Sequence, residues 1–302
     1  MKSLDELVAE GVFRQDVNIG ALTTYRVGGS AKYFVEITTH ELANEVIPTI
    51  QKSGVPLLVF GNGSNLLVAD GPHEVVAVHL SGELAELTID KEGDAYLVRV
   101  GAGMDLPIVA RRLASEGIAG FEWGVGIPGT FGGAVAMNAG GHGSDMAAAV
   151  SSAGVWRDGQ YSQWDAQKLA FGYRHSALRP ADVVTDVSLR LPAGSAEESK
   201  AKLSDIVRWR REHQPGGHNA GSVFRNPETG SAGELIERVG LKGERSGGAS
   251  VSLKHANFIQ VEEGTTALDV STLIGRIHAQ VLEMTGVDLV IENRFFGFGA
   301  AH

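Results

Sequence analysis

Glycine-rich loops carry the residues of this sequence that could do chemistry. The longest loop spans residues 124–141, and its glycines follow the G-x-G-x-x-G spacing at Gly124, Gly126 and Gly129. Backbone without side chains lets N–H groups approach a pyrophosphate closely. We reject the doubly wound dinucleotide fold, because it needs a strand directly before the loop, whereas the pattern here predicts a helix before it and a hairpin after it. Glycines that serve only turns and packing are the alternative interpretation.

Two shorter loops have the same character. Residues 61–68 follow a β-like run and combine Gly-x-Gly with serine and asparagine donors, a pattern that places a nest of N–H groups beside phosphate oxygens. Residues 24–29 supply a hydroxyl, an aromatic ring and a guanidinium next to flexible backbone. A plain turn uses the same residue types, so each loop alone is a weak signal. Together the three loops make the first half of the chain rich in anion-binding backbone.

Motifs of other chemistries are missing from the sequence. It has no G-x-x-x-x-G-K-[ST] loop, and its ten histidines form no H-E-x-x-H motif. The absence of cysteine excludes disulfides, thiolate metal sites and a cysteine nucleophile. We therefore expect no metal site.

Composition narrows the class of protein further. The 302 residues include 26 basic and 36 acidic side chains, and no apolar run is long enough to cross a bilayer. The net charge of −10 argues against a nucleic-acid surface, and the N terminus shows no signal peptide, so we expect a cytoplasmic protein without membrane insertion. Residues 206–260 carry eight basic and five acidic side chains, which favours a small anionic ligand; scattered solvated charge is the alternative.

Short helices and clustered strands must position the loops. Capping and periodicity predict helices at 39–54, 105–116, 197–213, 232–239 and 266–285. The last helix has an apolar face made of Val270, Leu273, Ile274, Ile277, Val281 and Met284. Strand-like runs lie at 32–37, 56–60, 75–80, 96–100 and 287–297, and a hairpin turn is predicted at Asp158-Gly159. Because strands cluster rather than alternate with helices, we predict an α+β fold with largely antiparallel sheet.

The three loops resemble the flavin-contacting segments of the UDP-N-acetylenolpyruvoylglucosamine reductases, a family with an FAD-binding fold of the vanillyl-alcohol-oxidase type. Later segments match the family in the same order and extend the resemblance over nearly the whole chain: residues 171–176, 221–227, 232–237, 240–243, 255–258 and 291–294.

The resemblance implies the domain organisation and the cofactor. Two FAD-binding lobes are expected at 1–78 and 79–200, a substrate-binding domain at 201–286, and a C-terminal strand at 287–302 that returns to the FAD site. FAD is expected to be non-covalent, since there is no cysteine and His142 is the nearest histidine after the third loop. The residues implied to bind FAD are Tyr25, Arg26, Gly28, Gly61, Asn62, Gly63, Ser64, Asn65, Leu66, Gly126, Ile127, Pro128, Gly129, Thr130, Gly133 and Ala134.

The family reduces the enolpyruvyl ether of UDP-N-acetylglucosamine to UDP-N-acetylmuramate for peptidoglycan, with electrons that pass from NADPH to FAD. By resemblance Ser222 is the proton donor, Arg174 binds the substrate carboxylate and Glu292 is the C-terminal catalytic glutamate. The chain is expected to be a monomer whose partners are NADPH and the enolpyruvyl nucleotide. The implied substrate-binding residues are Tyr173, Arg225, Asn226, Lys242 and His255.

The sequence also departs from the family pattern. The family often ends in Leu-Glu-x-Glu-Val, whereas residues 289–293 read Leu-Val-Ile-Glu-Asn, so that Asn293 replaces valine. Arg225 stands where lysine is common. No tyrosine-bearing insertion precedes Gly221, which is typical of the shorter class of these enzymes.

Two other functions fit part of the pattern. A sugar or alcohol oxidase on the same flavin fold, with oxygen as electron acceptor, explains the first half of the chain but leaves Ser222, Arg225 and Asn226 without a task. A non-catalytic nucleotide-sugar sensor would carry altered catalytic residues, and the C-terminal departures are the sequence feature that points that way.

Overall fold

The computed structural model describes residues 2–228 and 230–299, and the chain divides into two compact units. Unit 1 contains the described residues up to Asp16 together with Lys32–Gly61 and Glu74–Arg210. Unit 2 contains Val17–Ala31, Asn62–His73 and the described residues from Arg211 onward. Each unit is thus assembled from three separate stretches of chain.

The helices are mostly short. Two exceed 15 residues and belong to the second half of the chain. The α-helices are α1 Leu4–Ala9, α2 His40–Lys52, α3 Leu106–Ser115, α4 Phe131–Met137, α5 Ala166–Leu169, α6 Ala196–His213, α7 Ala232–Arg238 and α8 Ala267–Thr285. The 3₁₀ turns are Gly20–Leu22, Gly82–Ala85, Glu122–Gly126 and Met146–Ala148.

The strands form several small sheets. Their bounds are β1 Arg14–Asn18, β2 Ser30–Ile37, β3 Leu57–Val59, β4 Leu66–Val68, β5 Pro72–Leu80, β6 Leu87–Glu92, β7 Ala95–Gly101, β8 Gly140–Gly141, β9 Ser144–Asp145, β10 Val150–Arg157, β11 Gln160–Asp165, β12 Val183–Pro192, β13 Arg245–Ser246, β14 Ala249–Val251, β15 Ile259–Val261 and β16 Arg294–Phe296. The largest sheet is antiparallel, in the order β11-β10-β12-β7-β6.

The sheets of unit 1 pack against α2, α3 and α4 over one apolar core. A second sheet, in the order β1-β2-β5-β3, has a parallel pair at β3 and β5. The hairpin of β10 and β11 turns at Asp158 and Gly159, whose φ angles of 54° and 78° are typical of a type I′ turn. The predicted hairpin is therefore confirmed.

The core of unit 2 is built around α8. Its helix begins after the Thr266 cap and ends at Gly286, whose φ is 72°. The three-stranded sheet β13-β14-β15 is antiparallel, while β16 pairs in parallel with β4 from the first third of the chain. Apolar residues from all three stretches of unit 2, including Tyr25, Val27 and Leu67, share this core.

Three predictions of secondary structure need correction. Met284 is 63% exposed, because it lies in the last turn of α8 beyond the packed face. The predicted strand at 287–297 is reduced to Arg294–Phe296, since the preceding residues make only an isolated bridge at Ile291. The strand Leu87–Glu92 was missed because its side chains are mostly exposed and its second half is charged. Within the described residues, no helix has the length and apolar character to cross a membrane.

Candidate active site

In unit 1 the start of the second loop meets the third loop. A Cβ at Gly61 would overlap the Thr130 side chain, so only glycine allows this approach. The third loop is in turn fixed to α3, because the Leu106 amide donates to the Gly129 carbonyl at 3.1 Å. Thr130 then forms the cap position of α4.

The G-x-G-x-x-G glycines serve packing in part. Gly124 and Gly126 lie in a buried 3₁₀ turn, where a Cβ at Gly124 would come within 2.6 Å of the Phe121 ring and a Cβ at Gly126 within 3.1 Å of His142 and Ile206. Close packing therefore explains why glycine is required at both positions, as in the interpretation that assigns these glycines to turns and packing. Gly133 differs, because it is exposed and a Cβ there would have space.

In unit 2 the first and second loops pack against each other. Gly28 has a φ of 111°, and a Cβ there would overlap the Val68 carbonyl. Gly63 has a φ of 58°, and a Cβ there would lie 2.8 Å from the Thr23 backbone. Both positions combine a left-handed backbone with close approach, so the loops can pack this closely only through glycine.

The residues predicted to bind FAD differ in accessibility. Tyr25 is fully buried, its hydroxyl donates to Asn293 Oδ1 at 3.3 Å, and burial raises its pKa above the ordinary value. Other buried members of the set are Gly63, Leu66, Gly126, Thr130 and Ala134. Partly or fully exposed members are Arg26, Gly28, Gly61, Asn62, Ser64, Asn65, Ile127, Pro128, Gly129 and Gly133.

Ser222 and Glu292 lie on neighbouring segments of unit 2. The Glu292 amide donates to the Val223 carbonyl at 2.7 Å, and an antiparallel bridge joins Phe224 to Ile291. Two residues far apart in sequence are therefore brought to adjacent backbone positions.

Asn65 of the second loop contacts the same region. Its Nδ2 donates to the Glu292 carbonyl at 3.0 Å, and its own carbonyl accepts from the Arg294 amide at 2.9 Å. These bonds extend the parallel pairing of β16 with β4, so a predicted FAD loop and the Glu292 segment are one hydrogen-bonded structure.

Asn257 is a residue that sequence reasoning missed. It is 2% exposed, its Oδ1 accepts from the Phe224 amide at 2.9 Å, and its Nδ2 donates to the Phe224 carbonyl at 2.8 Å. Its own carbonyl accepts from Val223. Asn257 thereby holds the segment that follows Ser222 through three hydrogen bonds. The available signal was an asparagine within an apolar run.

Arg174 sits on a tight turn in unit 1. The amides of Gly172 and His175 donate to each other's carbonyls, and Arg174 has a φ of 53°. Asn138, 3% exposed, donates from Nδ2 to the Gly172 carbonyl at 2.9 Å, which ties the turn to the end of α4. The guanidinium of Arg174 lies 5.5 Å from the centre of the exposed Tyr173 ring. Sequence reasoning also missed Asn138.

The other predicted substrate-binding residues all lie in unit 2. Arg225 Nε is buried and makes no hydrogen bond to the described residues. The Nζ of Lys242 is 2.7 Å from a Glu237 carboxylate oxygen. Asn226 Oδ1 accepts from the Ala232 amide at 3.1 Å at the start of α7.

His255 is a neutral donor at pH 7. Burial lowers its pKa, and the positive charge of Lys242 lowers it further. Its Nδ1 accepts from the Asn257 amide at 3.2 Å, which leaves the ring proton on Nε2. The ring packs edge-on against Phe258, with centroids 4.8 Å apart.

The donor set of the loops fits FAD. It offers amide and hydroxyl side chains together with glycine backbone, the neutral groups that bind a diphosphate or a ring edge. His142, the nearest histidine, has its ring centroid 5.2 Å from that of Trp209, and burial lowers its pKa. Among residues 2–228 and 230–299, no group of three or more acidic, histidine or cysteine side chains is arranged to hold a metal ion.

Comparisons with known proteins decide the family. Residues 31–157 match an FAD-binding domain, and residues 213–296 match the C-terminal domain of UDP-N-acetylenolpyruvoylglucosamine reductase. UDP-N-acetylenolpyruvoylglucosamine reductase 2 of Symbiobacterium thermophilum is 38% identical over 91% of this chain and 89% of its own length. The corresponding reductase of Anoxybacillus flavithermus is 38% identical over 95% of both chains. This chain belongs to the UDP-N-acetylenolpyruvoylglucosamine reductase family.

A solved structure supports the same assignment. The UDP-N-acetylenolpyruvylglucosamine reductase of Thermus caldophilus has 37% identity and a TM-score of 0.81, over 94% of this chain and 99% of that one. As a member of this reductase family the chain is an oxidoreductase with an FAD-binding domain, and the predicted α+β fold, FAD cofactor and family resemblance are confirmed. The lobe boundaries and the individual site residues remain predictions.

Proposed function

We propose that this protein reduces the enolpyruvyl ether of UDP-N-acetylglucosamine to UDP-N-acetylmuramate, the nucleotide sugar used for peptidoglycan, in the cytoplasm and as a monomer. The observation that supports this most directly is the Glu292–Val223 backbone bond in a chain of this family, because it brings the segments of Ser222 and Glu292 together. When bound, FAD supplies to the substrate methylene carbon the hydride equivalent that originates from NADPH.

Ser222 is proposed to hold the proton that completes the reduction. Hydride addition leaves negative charge on the substrate α-carbon, which spreads into the carboxylate. The Ser222 hydroxyl donates its proton to that carbon and a C–H bond forms. The serine alkoxide regains a proton from solvent in a later step, after the transfer is complete. A serine is a weak acid, but such a carbon is a strong base, so the transfer is feasible where water is excluded.

Arg174 is proposed to bind the carboxylate on which charge develops. Its planar guanidinium can form two parallel hydrogen bonds to a carboxylate, which the ammonium of a lysine cannot reproduce. The turn with a φ of 53° and the Asn138 bond fix the backbone from which this side chain projects. Such a preorganised cation stabilises charge without reorganisation during the reaction.

Glu292 is proposed to act as a protonated or hydrogen-bonded group. A bare carboxylate near the substrate carboxylate would oppose the developing negative charge. In the proposed form it donates or shares a proton and assists Arg174 in polarising the substrate.

The nucleotide is proposed to bind through Tyr173, Arg225, Asn226, Lys242 and His255. Arg225 and Lys242 supply positive charge for the diphosphate, whereas His255 contributes a neutral Nε2–H donor because its pKa is lowered. The Lys242–Glu237 pair limits the free charge that Lys242 can offer.

The first test is the visible spectrum of the purified protein under anaerobic conditions. A flavin band that NADPH bleaches and that the enolpyruvyl nucleotide restores establishes the reductase. A band restored only by oxygen would favour the oxidase, and a protein that cannot be loaded with FAD would contradict the proposal.

Replacement of Ser222 tests the mechanism. In Ser222→Ala the rate at which the enolpyruvyl nucleotide reoxidises the flavin is expected to fall by about 10²–10⁴-fold, the usual contribution of a positioned proton donor. Bleaching of the flavin by NADPH should persist. Stopped-flow absorbance separates the two steps. Ser204→Ala, on the exposed face of α6, is the control and should retain both rates. Normal reoxidation in Ser222→Ala would remove Ser222 from the mechanism, and a sensor would show no reoxidation even in the unmodified protein.

A further inference from the structure

Asn293 forms the centre of a buried hydrogen-bond network in unit 2. The residue is 5% exposed. Its Nδ2 donates to Asn65 Oδ1 at 2.7 Å, to the Ala220 carbonyl at 3.1 Å and to the Ser222 carbonyl at 3.3 Å. Its Oδ1 accepts from the Tyr25 hydroxyl at 3.3 Å. The side chain thus joins the first loop, the second loop and the segment that carries Ser222.

The chemistry of the partners fixes the orientation of this amide. Backbone carbonyls only accept hydrogen bonds, so the group that faces Ala220 and Ser222 must be the NH₂. The Asn65 amide is fixed in the same way, because its Nδ2 faces the Glu292 carbonyl. Both amides therefore have one favourable orientation.

No similar side chain can replace Asn293 in this network. Valine fills a similar volume but has no donor. Aspartate would place a carboxylate oxygen against the carbonyls of Ala220 and Ser222, which repel it.

We propose that Asn293 is a positioning residue, which holds the backbone of Ser222 at a fixed distance from the second FAD loop through Asn65. The inference rests on the proposed function, since it gives Ser222 the role of proton donor. The Ser222 hydroxyl transfers its proton only within hydrogen-bond reach of the acceptor carbon, and Asn293 restrains the carbonyl of that same residue. Loss of the restraint slows protonation of the substrate but leaves reduction by NADPH intact.

The experiment compares Asn293→Val and Asn293→Asp with the unmodified FAD-loaded protein. Reoxidation by the enolpyruvyl nucleotide is expected to slow by about 10–100-fold, the cost of a misplacement of roughly 1 Å. Reduction by NADPH should change by less than about twofold, and the solvent deuterium isotope effect on reoxidation should increase. A readout independent of turnover is amide hydrogen exchange, which should become faster at residues 220–224.

Thr266→Ala is the matched control, because it removes the N-cap of α8 in the same unit. It should lower the melting temperature without changing either half-reaction or exchange at 220–224. If Asn293→Val does not fold, Asn293→Asp, which keeps the Oδ1 acceptor, is used for the same measurements. Failure of both variants to fold would overturn a positioning role. Unchanged reoxidation, or equal slowing of both half-reactions, would also overturn it. If the nucleotide never reoxidises the unmodified protein, the proposed function is refuted instead. Hydrogen exchange at residues 220–224 would then still test whether Asn293 restrains the backbone of Ser222.

Discussion

The Arg225 guanidinium has an enclosed Nε that makes no hydrogen bond to residues 2–228 or 230–299. A buried donor of a charged group is costly unless a partner satisfies it. An anionic ligand beside the Ser222 segment would provide that partner. The buried Arg225 Nε therefore lowers the stability of the free protein, and a bound anionic nucleotide would remove this cost and gain affinity.

Arg225→Met tests this link. The affinity for the enolpyruvyl nucleotide is expected to fall by about 10–100-fold, since a charge-assisted hydrogen bond contributes about 1.5–3 kcal/mol. The melting temperature without nucleotide should stay the same or increase, because the enclosed donor is removed. Isothermal titration calorimetry and thermal unfolding measure the two effects. Arg238→Met, at an exposed position of α7, should change neither. Unchanged affinity in Arg225→Met would contradict the assignment.

At the scale of elements, Glu122 joins the 3₁₀ turn Glu122–Gly126 to α6. The Ser199 hydroxyl donates to Glu122 Oε1 at 2.7 Å, and the Gly120 amide donates to Oε2 at 2.8 Å. Burial raises the pKa of Glu122, but the bonds from Ser199 and from backbone amides outweigh burial, and the pKa lies below its ordinary value of 4.5. The carboxylate is thus a stabilising link between two elements of unit 1.

Glu122→Gln is expected to reduce the free energy of unfolding by about 1.5–3 kcal/mol at pH 7, the range for hydrogen bonds to a charged group. A lowered carboxyl pKa gives stability that is present above the unfolded-state pKa and lost as the pH falls through the folded-state pKa. The difference from the unmodified protein should therefore shrink below about pH 4.5. Urea unfolding at pH 7 and pH 3 measures it, with exposed Glu263→Gln as control. An equal difference at both pH values would show that the charge is not responsible.

At the scale of the whole molecule, unit 2 is discontinuous in sequence. The family C-terminal domain covers residues 213–296, yet the core of unit 2 also contains Tyr25, Val27 and Leu67. Strand β16 has β4 as its parallel partner, and Asp70 accepts from the first two amides of α8 at 3.0 Å each. The C-terminal part therefore depends on segments that precede it by more than a hundred residues.

The fragment 211–302 is accordingly expected not to fold cooperatively. It lacks the partner of β16 and three buried side chains, and a single large-to-small change in a core already costs about 2–5 kcal/mol. Circular dichroism of the fragment should show no sharp thermal transition, whereas the full chain should show one. A fragment that melts cooperatively would mean that the early segments contribute little to the stability of unit 2.

Local chemistry made much of this protein predictable from its sequence. The Thr266 cap, the apolar stripe and Gly286 lie within a few residues of one another, and they predicted α8 to within one residue. The Asp158-Gly159 hairpin depends on two φ angles and was equally predictable. The FAD-binding domain and the family were recognisable because the glycine pattern and the order of the motifs are features of the linear sequence.

Only the tertiary structure decided how distant residues meet. Tyr25 and Asn293 are 268 positions apart and Asn65 and Asn293 are 228 apart, so no local pattern could predict their hydrogen bonds. The C-terminal strand was overextended for the same reason, since its length depends on pairing with β4. Sequence therefore determined elements whose stabilising contacts are local, whereas long-range packing and backbone pairing determined the polar network around Ser222 and Glu292.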